Sequence, residues 1–418
     1  MHAPAQESEA AGRQSLLATT FSAFKHRNYR LFWAGQFISL IGSWVQTVAH
    51  GWLVYDLTRS PTKLGIVSAA GSVPILLFSL LGGVAADRIQ KRTILLWTQS
   101  LLALLALALG LLVATHRVRY EHILLVAFLT GTVNAVDIPT RQAFVVEMVG
   151  KSDLMNAIAL NSAMFNSARL LGPVLAGLTI SAFGVAPCYF INALSFVAVL
   201  IGLVMMEFQP NEHISSKGSA WEDLVAGIRY LRHSPNILML IGGVAVPSVF
   251  GAPYAMLMPV FARDVLHGGP NVLGLLMSAT GVGALMGALT LSALSEYPKR
   301  GHLLVGGGLL FAAFLILFSM SRWLPLSLLL LVGVGWAMIT YNATTNTLVQ
   351  TTVSDELRGR VMAVYSLMFI GLTPLGSLQA GAVAGRYGAP FAVAAGAVVC
   401  ALFALFVVSP RALRWSTA

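Results

Sequence analysis

Charged residues are scarce in this sequence. Only 10% of its 418 residues are Asp, Glu, Lys or Arg, while 57% are hydrophobic; soluble domains carry about a quarter charged. That balance excludes an ordinary water-soluble fold and makes lipid the solvent for most of the chain. Cysteine is almost missing. Cys188 and Cys400 stand alone, outside any CxxC or Cys/His cluster, so neither a disulfide framework nor a zinc site is expected. There is no GxxxxGKS/T phosphate loop, no HExxH and no GxSxG, so ATP does not drive the protein, and no enzyme activity, cofactor or metal is expected. The first 28 residues lack an apolar core followed by a small-residue cleavage site, and no removable signal peptide is read there.

What is present is a series of apolar runs of roughly twenty residues without ten-residue alternation, the signature of membrane-crossing helices and not of a barrel. Apolar windows predict twelve helices, near 30–54, 64–86, 93–114, 122–146, 155–182, 187–206, 237–261, 272–295, 301–320, 326–349, 361–384 and 390–409. With the N-terminus cytoplasmic, 18 of the 26 Lys and Arg residues fall on the inner side and seven on the outer, which places both termini inside. The remaining one is Arg169, inside a helix. The net charge of +10 is dispersed in short breaks between spans, so it reads as membrane topology and not as a nucleic-acid surface.

The chain repeats itself. "YDLTRSPTKLG" before helix 2 matches "RDVLHGGPNVLG" before helix 8, and Asp56 and Asp264, Lys91-Arg92 and Lys299-Arg300, and Asn134-Ala135 and Asn342-Ala343 all keep a separation of 208. Such a same-orientation repeat predicts an all-α membrane protein of two pseudo-symmetric six-helix bundles. The expected division is a cytoplasmic segment 1–28, bundles 29–206 and 237–409, a cytoplasmic linker 207–236 and a tail 410–418. In the linker, Trp221, Leu224, Val225, Ile228 and Leu231 recur at helical spacing and predict an amphipathic helix on the inner surface.

The turn after helix 2 reads "GGVAADRIQKRT". Gly83, Asp87, Arg88, Lys91 and Arg92 resemble the G-x-x-x-D-R-x-x-K/R-R signature of the major facilitator superfamily, and with twelve spans and the repeat the resemblance covers essentially the whole chain. It implies a cytoplasmic latch in which Asp87 meets the N-terminal end of helix 11. Gln90 replaces a usual glycine, and "LSALSEYPKRG" in the second half has lost the Asp-Arg pair, so the latch is one-sided. "ARLLGPVLAG" resembles the Gly-Pro motif of helix 5 in the superfamily's antiporters, where Gly172, Pro173 and Gly177 permit a kink and close helix approach; a packing role without transport explains the same residues. Together "NAVDIPTRQA", "LMNAIALNSAMFNSARLLGP" and "DELRGRV" are similar to the transmembrane secretion effector branch, which includes siderophore exporters and macrolide efflux proteins. The resemblance implies outward transport and a bacterial cytoplasmic membrane, with one chain commonly sufficient.

Polar residues inside the spans fall into stripes. Thr130, Asn134, Asp137 and Arg141 share one face of helix 4, and Gln36, Ser39, Ser43, Gln46 and His50 share one face of helix 1. Helix 10 offers Tyr341, Thr345 and Asn346, helix 7 offers Tyr254 among Pro247, Pro253 and Pro259, and helix 5 carries Asn166 and Arg169. In the resembled fold helices 1, 4, 7 and 10 line a central cavity, so these residues are the expected substrate lining. A charge at mid-depth costs about 2.5 to 3.5 kcal/mol on insertion scales, so Asp137, Arg141 and Arg169 must face a cavity or a partner. Two readings stand for them: proton coupling, with Arg169 pairing Asp137 or substrate, or a fixed ion pair between helices 4 and 5. His50 reads as a hydrogen-bonded core residue ahead of a proton-sensitive group.

The expected function is secondary active export of a small amphiphilic molecule, siderophore or drug-like, with protons as the coupling ion. A lysophospholipid or lipid-precursor flippase of the same fold is an alternative. A transport-inactive sensor or assembly partner is another, though it would have no use for the latch.

Overall fold

The computed structural model describes residues 21–207, 228–231, 233–294, 297 and 299–409, and for residues 80, 81, 84, 86 and 87 the backbone alone. The segment before residue 21, the tail from 410 and most of the expected linker helix, Trp221, Leu224 and Val225 included, lie outside the described residues. Among the described residues, eleven helical stretches are long and apolar enough to cross a membrane. One of them, Tyr120–Phe183, is two spans joined at Gly150 (φ 68°). The polar break expected there is thus a single residue, held in backbone territory that glycine enters without steric cost.

In chain order the spans are α1 (Arg27–Thr58), α2 (Pro61–Arg88), α3 (Lys91–Ala114), α4 (120–149), α5 (151–183), α6 (Ala186–Val204), α7 (Pro235–Val265), α8 (Pro270–Ala293), α9 (Arg300–Met320), α10 (Leu324–Thr352), α11 (Asp355–Tyr387) and α12 (Ala389–Val408). The near side is the one where α1 begins; the opposite side is the far side. Far-side turns are short because their residues suit them. Arg59 takes a left-handed conformation, Ser60 accepts a hydrogen bond from the Lys63 amide, and Pro61 opens α2. Gly184 and Gly388, both with positive φ, end α5 and α11.

The two halves repeat the same plan. Helices α1–α6 pack on one another, as do α7–α12, and the halves meet through α2 against α11 and α5 against α8. Proline shapes α7, whose backbone passes through wide turns at Pro247–Gly251 and a 3-10 turn at Ala252–Ala255. α11 breaks between Gly371 and Thr373, just before Pro374. Leu77, Leu104, Leu194, Leu329 and Phe406 are each more than half exposed. On a water-soluble surface that much apolar area would aggregate; here it is the face presented to acyl chains.

On the near side a short helical turn, Ser22–Lys25, is tied to the start of α5. Lys25 Nζ and His26 Nε2 lie 2.7 and 2.9 Å from Asp153 Oδ2, and the Ala23 amide donates to Asn156 Oδ1 at 3.0 Å. Asp153→Ala should raise amide exchange over residues 21–26 by about tenfold or more, since local opening follows the loss of one or two charge-assisted bonds. Hydrogen-exchange mass spectrometry checks this; unchanged protection would mean that the carboxylate does not hold the segment.

Candidate functional site

Small residues bring the halves together on the far side. A Cβ at Gly65 of α2 would sit 2.5 Å from Ser377 O and 3.1 Å from Gly381 Cα of α11. Beside it Thr62 donates to Gly381 O at 3.1 Å and the hydroxyls of Ser68 and Ser377 bond at 2.9 Å. At the second crossing a Cβ on Gly177 would meet Pro270 O at 3.0 Å, Gly274 backs onto Pro173 O, and Ser278 donates to Leu170 O at 2.8 Å. Gly172 packs instead on Trp44 of α1, so the Gly-Pro segment serves one crossing inside a half and one between halves. The ends of α1 and α7 are clasped as well: Tyr55 donates to Asp264, Arg263 pairs with Asp56, and the Arg263 guanidinium lies over Trp52 at 5.2 Å. Asp56 and Asp264, the repeat-related pair, both bond across the halves.

Below this closure lies a cavity of about 530 Å³. Gln36, Ser43, Gln46 and His50 of α1 and Asn134 and Arg141 of α4 line it, as the stripes predict, together with Trp44 and with Ser248, Met256 and Met277 of the second half. Among the described residues that line it there is no Asp or Glu. Asn192 of α6, which sequence reading missed, organises the polar wall: its Nδ2 donates to Gln46 Oε1 at 2.7 Å and Ser43 donates to its Oδ1 at 3.5 Å.

Asp137 is fully buried in the wall behind Arg141. Thr98 Oγ1 and Gln99 Nε2 of α3 donate to its Oδ1 at 2.6 and 2.8 Å, and Arg141 pairs with Oδ2 from one turn further along α4. The four-residue spacing is what makes this pair possible. It also corrects an expectation: the carboxylate is satisfied by α3 and α4, not by Arg169. Arg169 lies further along α5, its carbonyl facing Gly281 of α8 and its charge near Tyr254. Asn166 does not line the cavity either, and donates to Ser162 O of its own helix at 2.9 Å.

The second half contributes less polar surface than its sequence suggests. Tyr254 is buried against Phe311. Tyr341 fits a niche left by Gly307 and Gly308 and donates to Gly243 O at 2.7 Å, which ties α10 to α7. Thr345 bonds back to Tyr341 O at 2.8 Å and Asn346 accepts from Gln350 at 2.6 Å. All four, expected in the cavity, serve packing inside the half.

Of the expected latch, the side chain of Asp87 lies outside the described residues, Gly83 is half-buried and Arg88 is exposed. Lys91 pairs with Glu147 at 3.2 Å, and Arg92 donates to Leu203 O and Val204 O at 2.7 and 2.9 Å, completing the carbonyl end of α6. Lys91 and Arg92 therefore bind within the first half.

Comparison with known proteins agrees with this architecture. The chain is 26% identical to the staphyloferrin A transporter of Staphylococcus aureus, over 86% of this chain and 90% of that one. It is 25% identical to the multidrug efflux pump Tap of Mycolicibacterium fortuitum (83% and 87%) and 26% identical to the enterobactin exporter EntS of Citrobacter koseri (88% and 89%). In fold it is similar to the nucleoside transporter NupG, with a TM-score of 0.69 at 15% identity over 90% of this chain and 97% of that one. A bacterial homolog of the human lysosomal transporter Spinster gives 0.67 at 15% identity over 94% and 96%. The family model for transmembrane secretion effectors matches residues 18–417. The chain is thus a multi-pass membrane protein, a transporter and not an enzyme, and it belongs to the transmembrane secretion effector family of the major facilitator superfamily.

Proposed function

We propose that this protein is a secondary active exporter that expels a small amphiphilic molecule, siderophore or drug-like, in exchange for protons. The observation that carries the reading is the cavity between two repeat-related halves, closed on the far side by glycine crossings and a charged clasp, with an ion pair in its wall. The near side is assigned to the cytoplasm of a bacterial inner membrane by the Lys/Arg bias. Residues 29–206 and 237–409 then rock as two bodies about the cavity, residues 207–236 tether them, and Asp87 latches the near side once the far side opens. The enterobactin exporter and the multidrug efflux pump among the relatives support the outward direction.

Asp137 and Arg141 are assigned the coupling, with Arg169 at the interface of the halves as modulator. While Asp137 is ionised the pair is compact and neutral, and an amphiphile fits beside it. A proton on Asp137 leaves the guanidinium unpaired, and an unpaired buried charge draws water and rejects apolar surface. Proton and substrate therefore exclude one another, the condition for antiport. The test is an untargeted comparison of culture medium from cells with and without the protein: a compound enriched outside only in expressing cells, and lost when the proton gradient is collapsed, is the expected result. Identical media would refute export, and gradient-independent enrichment would refute the coupling.

A further inference from the structure

Among the described residues of the cavity wall, two buried polar atoms have no hydrogen-bond partner: Gln36 Oε1 and Arg141 Nε. Gln36 is 2% exposed on α1, and Arg141 stands on α4 with one of its two terminal nitrogens, Nη2, already committed to Asp137. A buried polar atom left unsatisfied costs about 1 to 3 kcal/mol. One of these atoms accepts a hydrogen bond and the other donates one, and both belong to residues on the cavity surface. We propose that they form a subsite for a neutral substrate group that donates and accepts at once, such as a primary or secondary amide, a hydroxamic acid or a hydroxyl-carbonyl pair.

The chemistry discriminates sharply. A group of this kind gives its N–H or O–H to Gln36 and its oxygen to Arg141. A carboxylate offers acceptors only, so it satisfies the arginine edge while setting its second oxygen against Gln36 Oε1. A quaternary ammonium offers neither and brings a cation to a wall whose outward charge is a guanidinium, with no acid among the described lining residues to receive it. Rejection of a ligand that leaves a site's polar groups unpaired is the strongest selectivity such a site exerts. Trp44 and the methionines Met256 and Met277 give the rest of the molecule an apolar bed.

This inference names the substrate class for the exporter reading and rests on it, but its test is equilibrium binding without a gradient, so either claim fails separately. Three probes share a dansyl group: dansylglycinamide, dansylglycine and dansylaminoethyl-trimethylammonium. Binding to the purified full chain in nanodiscs is followed by energy transfer from tryptophan. The amide should bind at least about tenfold more tightly than the carboxylate, which is one hydrogen bond's worth of free energy, and the ammonium more weakly still. Gln36→Leu removes the side-chain amide, its unpartnered oxygen included, at similar volume, so the protein should fold, and the amide-to-carboxylate ratio should fall to about one. Arg141→Lys, which keeps the charge without the planar edge, should weaken amide and carboxylate together. Equal or tighter binding of either charged probe by the native chain, no binding of the amide, or an unchanged ratio in Gln36→Leu would each overturn the proposal.

Discussion

Asp137→Asn should reduce gradient-driven transport in vesicles to the background of empty vesicles and, because it leaves Arg141 unpaired as the protonated carboxyl does, should weaken substrate binding and free it of pH dependence. The carboxylate is the ionisable partner of Arg141 and is walled off by Thr98 and Gln99. Asparagine keeps an oxygen for both donors and loses the charged oxygen that pairs with Arg141. The loss of charge leaves Arg141 uncompensated, and breaking a buried pair from one side costs about 3 to 5 kcal/mol. A lower melting temperature is therefore expected too. The double variant Asp137→Asn/Arg141→Gln removes both charges, so it should recover most of the stability and none of the driven transport. Recovery of driven transport along with stability would make the pair a structural tie and nothing more.

The far-side closure supplies the second large effect. Gly274→Leu forces a branched side chain into the space occupied by Pro173 O, and no rotamer avoids a clash that already begins at Cβ. Overpacking of this kind costs about 1 to 3 kcal/mol. Because the crossing joins two halves and not the interior of one, separation of α5 from α8 relieves it. Spin labels at Arg117 and Arg322, exposed on the far side of the two halves, should report a longer-distance population in Gly274→Leu that is minor in the native chain. Asp56→Asn, which removes the partner of Arg263, should move the distribution the same way and by less, since a partly exposed ion pair contributes about 1 kcal/mol or less. Distances unchanged in Gly274→Leu would mean that the crossing does not hold the far side shut.

Much of this site is legible from spacing. The α1 stripe and the steps from Thr130 to Arg141 place polar groups on one helical face whatever the neighbours are, and in a membrane such a face has to meet a cavity or a partner. What spacing does not reveal is the partner. Thr98, Gln99 and Asn192 are isolated polar residues in apolar helices, and only the packing of α3 on α4 and of α6 on α1 turns them into ligands of Asp137 and Gln46. The same ignorance of neighbours misplaced α10. Its row of hydroxyls and amides resembles a cavity lining, but glycines on α7 and α9 create the niche that takes Tyr341 inward. Asp56 and Asp264 stood out as repeat partners, yet their bonds across the halves depend on how the two copies face one another. The twelve spans and their order were legible because bilayer thickness fixes helix length; the bends of α7 and the break in α11 follow the prolines seen in the sequence.

The central claim is that one cavity opens to one side of the membrane at a time. It is tested most directly by a single cysteine at the cavity residue Ser43, in a chain with Cys188 and Cys400 replaced by alanine, labelled with a membrane-impermeant maleimide from either side. Labelling from the near side alone in the native background, and a shift to far-side labelling when Gly274→Leu is added, is the expected result. Simultaneous labelling from both sides would indicate a channel, and labelling that does not change sides in Gly274→Leu would contradict alternating access.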